Sequence, residues 1–419
     1  LNAYCTYFDR RFLIQGLALA TSLRAHDPSA MLWVLCLDEF THAYLREAGH
    51  ENIRAVALAE LEGYDPALRA VKKKRTRIDY YFTLSPCWPR YLLHTHPEFE
   101  RVTYVDADMA FFASPEAIFS EMAQRSVYIT EHRYPPHLAH HRRFGLFNVG
   151  ILSFRNDRAG HECLTQWRRQ CLRWCHDTAE DGRYADQGYL DAWPALLGDK
   201  LCVSQHPGVN LAPWNWQTQR VTTRADRVAI GGQPLVVFHF ARFRPLYGTW
   251  LFQSGQLEYG IMPASLRRAI YSPYWRLLSS ALKEIRRLRP DFDFPKSTAR
   301  GWHAAWKSLG PRVFFGSDWL RLGSGFFSGR LGIGQFSGRV LNRLRLLREK
   351  PEPVVNTPSP FPATTTSAPS AKTAAIPGGI PTDSIAPFPT PHSNAPFATT
   401  GDSAPPFRPG DDLARSALR

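Results

Sequence analysis

The sequence predicts an α/β fold in which a mostly parallel sheet carries helices on both faces. Three observations predict it. Strand-like and helix-like segments alternate from the first residues onward, the pattern of parallel sheets with crossover helices. The run Met31-Leu32-Trp33-Val34-Leu35-Cys36-Leu37 is almost continuously apolar, as a strand covered on both faces must be. Later strand-like runs end in polar side chains, and in open α/β sheets ligands bind beyond the carboxyl ends of the strands.

Taken in order, residues 3–8 read as a first strand and 11–24 as a helix, with Phe12, Leu13, Leu17, Ala20 and Leu23 at helical spacing. The apolar run at 31–37 is the second strand. A helix over 42–48 and a short strand over 53–58 follow. Val102-Thr103-Tyr104-Val105 runs into Asp106-Ala107-Asp108, Asn148 precedes the run Val149 to Phe154, and Leu235-Val236-Val237-Phe238 ends at His239. Beyond residue 260 the pattern turns helical and basic. Leu266, Ile270, Tyr274, Leu277, Leu278 and Leu282 recur at helical intervals over 265–288, and 340–350 repeats the mixture of leucine with arginine and lysine. The expected organisation is a catalytic domain over 1–260, a basic helical extension over 261–350 and a disordered tail over 351–419. In the tail, 15 of the 33 prolines mix with Ser, Thr and Ala, a composition unable to bury enough apolar surface to offset its ordering entropy.

Composition narrows the function. At 419 residues and 44% hydrophobic, the chain can bury a large core. No stretch approaches the ~18–20 uninterrupted apolar residues that span a bilayer. No charged-then-apolar leader precedes the first strand, so the expected location is cytoplasmic. The net charge of +14 is uneven: residues 261–350 hold 18 Lys and Arg against 5 Asp and Glu, while 1–260 hold 29 against 27. The first 260 residues are therefore no nucleic-acid-binding surface, and nucleic acid is excluded as a partner. The excess charge suits an anionic membrane surface, which predicts peripheral contact through 261–350 on the inner face of the membrane, against a plain solvated helical face. Cys163, Cys171 and Cys175, followed by His176, read as a buried helix stripe beside Trp167, because zinc-type cysteine pairing is missing.

Chemistry concentrates at the strand ends. Asp106 and Asp108 offer alternate carboxylates directly after a strand, hard oxygen ligands suited to Mn²⁺ or Mg²⁺ bound to substrate phosphates. Ser114-Pro115-Glu116 reads as a helix start just beyond. His239 is a candidate third ligand, with Arg242 and Arg244 placed to take phosphate oxygens; a hydrogen-bonded histidine at a strand terminus is the bland alternative. Asp186-Gln187 either grips sugar hydroxyls or simply opens a helix. Trp214, Asn215 and Trp216 read either as a sugar-stacking surface or as core.

In combination these pieces resemble the GT-A glycosyltransferases, particularly glycosyltransferase family 8 and related nucleotide-diphospho-sugar transferases. The matching segments are Cys5-Thr6-Tyr7-Phe8-Asp9, Tyr104-Val105-Asp106-Ala107-Asp108, Phe147-Asn148-Val149-Gly150-Ile151-Leu152, Asp186-Gln187, and Asn210 ahead of His239-Phe240. They arrive in the family's order over residues 2–245. The resemblance implies a GT-A, Rossmann-like fold and a metal held by Asp106, Asp108 and His239. It places Thr6 and Asp9 at the nucleotide base and ribose, Asn148 near the donor sugar, Asn210 on the donor side, and Gln187 opposite the anomeric carbon with Asp186 beside it. It implies a nucleotide-diphospho-sugar donor and retention at the anomeric carbon. A glycan or lipid-linked acceptor is expected, the latter in keeping with the charge of 261–350. Two departures stand out. The family's histidine motif continues with a glycine and a lysine before proline, whereas Ala241-Arg242-Phe243-Arg244-Pro245 is one residue shorter, which assigns the diphosphate to Arg244. An arginine common in the helix before D-x-D is replaced near Thr83, which leaves Arg75 or Arg77 as substitutes. The competing readings are an Asp-x-Asp phosphatase and a non-catalytic membrane-associated protein. The phosphatase chemistry wants its Asp on the first strand, and here the pair lies past residue 100.

Overall fold

The computed structural model of the chain describes residues 2–224, 227–247, 251–253, 259–260, 262–293 and 313–315. Its centre is a seven-stranded sheet. The first strands are β1 (Asn2–Phe8), β2 (Leu32–Cys36), β3 (Ile53–Ala57) and β4 (Arg101–Val105). A short β5 (Met109–Phe111) leaves the sheet, which is completed by β6 (Val127–Glu131), β7 (Phe147–Arg155) and β8 (Leu201–Val203). The order across the sheet is β3-β2-β1-β4-β7-β6-β8. Only β7 runs against its neighbours, pairing antiparallel with both β4 and β6; the remaining pairs are parallel.

Helices cover both faces. Connecting the first strands are α1 (Leu13–His26), α2 (Glu39–Ala48), α3 (Leu58–Tyr64), α4 (Pro66–Lys72) and α5 (Arg77–Thr95). Later come α6 (Glu116–Met122), α7 (Arg158–Arg173), α8 (Trp193–Leu197) and the long α9 (Ala264–Leu288). The pleat of β1 divides the interior: Tyr4 and Phe8 join the core that holds α1 and α9, while Ala3, Cys5 and Tyr7 join the core that holds α5 and α7. Leu266, Ile270, Tyr274, Leu278 and Leu282 form the buried stripe of α9, as the helical spacing predicted, and Ile285 extends it. Its solvent side carries Arg268, Arg276, Lys283, Arg286 and Arg287. Beyond residue 293 the basic segment, apart from the strand at Val313–Phe315, and the whole Pro-rich tail lie outside the described residues.

The smaller strands are β9 (Val221–Arg224), β10 (Arg227–Ile230), β11 (Gln233–Pro234), β12 (Val237–His239), β13 (Arg244–Tyr247), β14 (Leu251–Gln253) and β15 (Val313–Phe315). One pairing positions the site: β12 lies antiparallel to β5, with His239 opposite Met109. The predicted cysteine stripe is buried beside Trp167, but Cys175 lies just beyond α7. The helix ends at an extended Trp174, and Arg75 donates to the carbonyls of Cys171, Leu172 and Cys175 there. Arg75 is thus a C-terminal helix cap, a role open to basic side chains because the last carbonyls of a helix lack partners.

Candidate active site

From β1 the chain winds outward through β2 and β3 on one side, then returns to place β4 on the other. Such a reversal opens a crevice at the carboxyl ends of the two central strands. Thr6 and Asp9 stand at the end of β1, and Asp106 and Asp108 follow β4. The Asp106 N–H donates to Gly150 O at 2.8 Å and Met109 N–H to Asp106 O at 3.1 Å, which holds the turn between the carboxylates. Pairing of β12 with β5 then carries His239 across 130 residues of sequence to the same turn, and Phe240 N–H closes on Asp108 O at 2.9 Å.

The three side chains converge. His239 Nε2 lies 3.2 Å from Asp108 Oδ1 and 3.7 Å from Asp106 Oδ2. Among the described residues, they form a group whose ligand atoms all fall within 4.8 Å of one another. Tyr104 Oη donates to Asp106 Oδ1 at 2.6 Å, orienting that carboxylate. Two carboxylates and an imidazole on one point are a donor set that fits a divalent cation.

The histidine is braced on its far side. Asn148 Oδ1 accepts the Gly150 N–H at 3.0 Å and lies 3.3 Å from His239 Nδ1. Asn148 Nδ2 reaches His132 Nε2 at 3.3 Å, and His132 Nδ1 reaches Leu146 O at 3.3 Å. Burial lowers the His132 pKa to about 3, so the ring is neutral near pH 7. Trp214 packs its edge on His239, 5.3 Å between ring centroids, and donates its indole N–H to His132 O. Asn215 Nδ2 donates to the same carbonyl and to Asn210 O.

Beside this brace lies a small cavity. His132, Tyr134, His141, Phe144, Trp214 and Tyr259 wall it, with the amides of Asn148 and Gln187. Gln187 Nε2 donates to Phe144 O at 2.7 Å, which leaves the amide oxygen as an acceptor. Asp186 is fully buried and outside the cavity lining, with its backbone carbonyl accepting from Trp167 Nε1. Arg133, Ala185, Asn210 and Arg242, each next to or among these residues, have positive φ. That conformation costs a non-glycine residue stability and clusters at functional sites.

The expected donor residues fall as follows. Thr6 and Asp9 are buried at the end of β1. Asp9 Oδ2 accepts from Arg11 Nε at 2.9 Å and from Arg11 Nη2 at 2.6 Å, and Tyr81 Oη reaches it at 3.3 Å. Arg77 is exposed at the start of α5, near enough to Tyr81 to act on its charge. Thr83 is buried and bonded to Asp79 O. Asn210 Nδ2 donates to Thr130 Oγ1 at 2.9 Å. Arg244 opens β13, and its side chain lies outside the described residues. Arg242 lies over the Tyr259 ring at 5.2 Å.

Two site residues escaped sequence reasoning. His132 carries no motif; only its place after the strand-like run at 127–131 hinted at it. Tyr274 of α9 stacks face to face on Phe240, 3.6 Å between centroids, and its hydroxyl pKa is pushed well above normal by burial and then by the charge of Asp108. Its helical spacing marked it as core and nothing more.

No family model matches the chain. It is similar to solved glycosyltransferase structures: galactosyltransferase LgtC in complex with donor and acceptor sugar analogs (15% identity, TM-score 0.41, 67% of this chain and 96% of that one) and GlyE of Streptococcus pneumoniae TIGR4 (14%, 0.37, 70% and 65%). Two proteins of Bacillus subtilis strain 168 are closer in sequence. The uncharacterized protein YfnF is 30% identical over 302 residues, 70% of this chain and 96% of YfnF. The uncharacterized protein YfnD is 30% identical over 297 residues, 69% of this chain and 92% of YfnD. Identity at that level across nearly their whole length means that the chain belongs to the family of YfnF and YfnD.

Proposed function

We propose that the protein is a metal-dependent glycosyltransferase that moves a sugar from a nucleotide-diphospho-sugar donor to a hydroxyl of a glycan or lipid-linked acceptor. The observation that carries this reading is the convergence of Asp106, Asp108 and His239 at the crevice between β1 and β4. Asp106, Asp108 and His239 would hold Mn²⁺ or Mg²⁺. When bound, such a cation neutralises the charge that grows on a diphosphate leaving group.

The remaining roles belong to the chain's own side chains. Thr6 and Asp9, at the end of β1, are the proposed contacts for the nucleoside, and Arg77 and Asn210 are proposed for the donor side. Arg244 is the proposed second positive charge on the diphosphate. The lining of the cavity is the chemistry a pyranose calls for, because the aromatic faces of Trp214, Tyr134 and Tyr259 pack on a ring's C–H groups while amides bond its hydroxyls. These walls would have to part to admit one, since the space between them holds about one water. Gln187 Oε1 is the proposed acceptor for such a hydroxyl near the anomeric carbon, Asn148 lines the same cavity, and Asp186, buried behind Gln187, is the proposed support for that amide. The acceptor oxygen attacks the anomeric carbon as the bond to the diphosphate breaks, and its proton leaves toward the departing phosphate. Retention is the expected outcome.

Calorimetry with a panel of nucleotide sugars and Mn²⁺ tests the reading. Binding of one member should require the metal, and Asp108→Ala should lower nucleoside diphosphate release by about 10²–10³-fold, the scale of several kcal/mol of lost charge stabilisation. The anomeric coupling in the product's proton NMR spectrum reads the stereochemistry. Turnover untouched by Asp108→Ala would remove the pair from the mechanism.

A further inference from the structure

We infer that His132 is a positioning residue, which acts through the Asn148 side chain to present His239 Nε2 to the paired carboxylates. The inference rests on the metal reading above for its purpose, but its geometry stands on hydrogen-bond polarity alone.

A carbonyl oxygen only accepts, so the contact between His132 Nδ1 and Leu146 O makes Nδ1 the protonated nitrogen of a neutral ring. His132 Nε2 is then an acceptor and takes an N–H of Asn148 Nδ2. This fixes which end of the Asn148 amide faces which way. The Gly150 backbone fixes it independently, because its N–H only donates and lies 3.0 Å from Asn148 Oδ1. Oδ1 in turn only accepts, so His239 must donate from Nδ1. A neutral His239 with this partner carries its proton on Nδ1, which leaves the Nε2 lone pair for a cation shared with Asp106 and Asp108. A metal-binding histidine needs that tautomer, and partners on its distal nitrogen commonly set it.

The arrangement is buried and doubly held. His132 is 4% exposed and Asn148 4% exposed. The carbonyl of His132 receives both Trp214 Nε1 and Asn215 Nδ2, so the backbone beneath the ring is pinned by the loop that also packs on His239. A leucine at 132 would leave the Asn148 amine without its acceptor. A glutamine offers both an oxygen for Asn148 and an amine for Leu146 O.

The test is Mn²⁺ binding to the full chain by calorimetry, without nucleotide, together with ¹⁵N-histidine NMR of the metal-free protein at a pH where His239 is neutral. His132→Leu should weaken Mn²⁺ by about tenfold, and His132→Gln should stay within about twofold of the unaltered protein. The unaltered His239 should carry its proton on Nδ1, and His132→Leu should mix the two tautomers. If His132→Leu does not fold, the glutamine variant and the spectrum of the unaltered protein decide. Equal Mn²⁺ affinity in His132→Leu, a tenfold loss in His132→Gln, or a His239 proton on Nε2 in the unaltered protein overturns the inference. Absence of Mn²⁺ binding in the unaltered protein would defeat the functional proposal, while the tautomer would still report on His132.

Discussion

Strand β7 has no room for a side chain at position 150. A Cβ there would lie 2.4 Å from Asn148 Oδ1 and 2.8 Å from His239 Nδ1, inside any normal contact distance. Neither group can yield cheaply, because Asn148 is tied to His132 and His239 to the carboxylates. Gly150→Ala should therefore push the imidazole off the site and weaken Mn²⁺ by about tenfold or more, the scale seen when a ligand's orienting partner is lost. Calorimetry checks it, and unchanged affinity would mean that the close approach is not what the glycine serves. The sequence showed Gly150 only as one letter in a strand motif; the reason for it lies 89 residues away. Asp106, Asp108 and His239 were legible because they arrive, with Asn148 and Asp186-Gln187 between them, in the order of the GT-A transferases that the sequence resembles; taken singly, each had a bland alternative. His132 was not, since a lone histidine acquires meaning only from the groups that surround it.

Among the elements, those with a strong period emerged and short ones did not. β1, β2 and β3 were legible, as were α1, α2 and α9 with small shifts at their ends. β12 was the exception, showing as the apolar run over 235–238 that ends at His239, while β5, with three residues, is too short for a period; their pairing assembles the site. The choice between Arg75 and Arg77 illustrates a different limit: either could stand in for the family's arginine, and Arg75 instead caps α7. The same helix is tied to α4 by Arg168, which donates through Nε to Asp65 Oδ2 at 2.5 Å while Asp65 caps α4 through the Leu68 N–H. Burial alone would raise the Asp65 pKa, but Arg168 and the Leu68 N–H outweigh it and hold it below normal. Arg168→Ala strands a buried carboxylate and should cost roughly 3 kcal/mol in urea unfolding near pH 7. Because the folded pKa is depressed, the pair's stabilisation is present above the ordinary carboxyl value and fades as pH falls through the lower one. The gap between the two proteins should therefore narrow below about pH 4. A gap independent of pH would assign the loss to packing instead.

At the scale of the whole molecule, the change to a basic composition after residue 260 falls inside a continuous core. α1 carries buried residues on every side, from Leu13 and Ile14 to Leu19 and Leu23. A helix that is apolar all round must be covered all round. The sheet covers one side, and α9 lies in the same core on that face. From α9, Leu266, Ile270, Tyr271, Tyr274, Leu278, Leu282 and Ile285 are all buried. At roughly 1.5–3 kcal/mol for each large apolar side chain, their burial matches or exceeds the ~5–15 kcal/mol that separates most folded domains from their unfolded chains. A chain ended after Gly260 should therefore lose its cooperative thermal transition and aggregate. A chain ended after Asp293, just past the end of α9, should keep that transition and its Mn²⁺ binding. Circular dichroism melts of the two chains read the difference. A soluble 1–260 protein with a sharp transition would show that the sheet and its first helices hold together without α9, and that Tyr274, stacked on Phe240, is an addition to a site already formed.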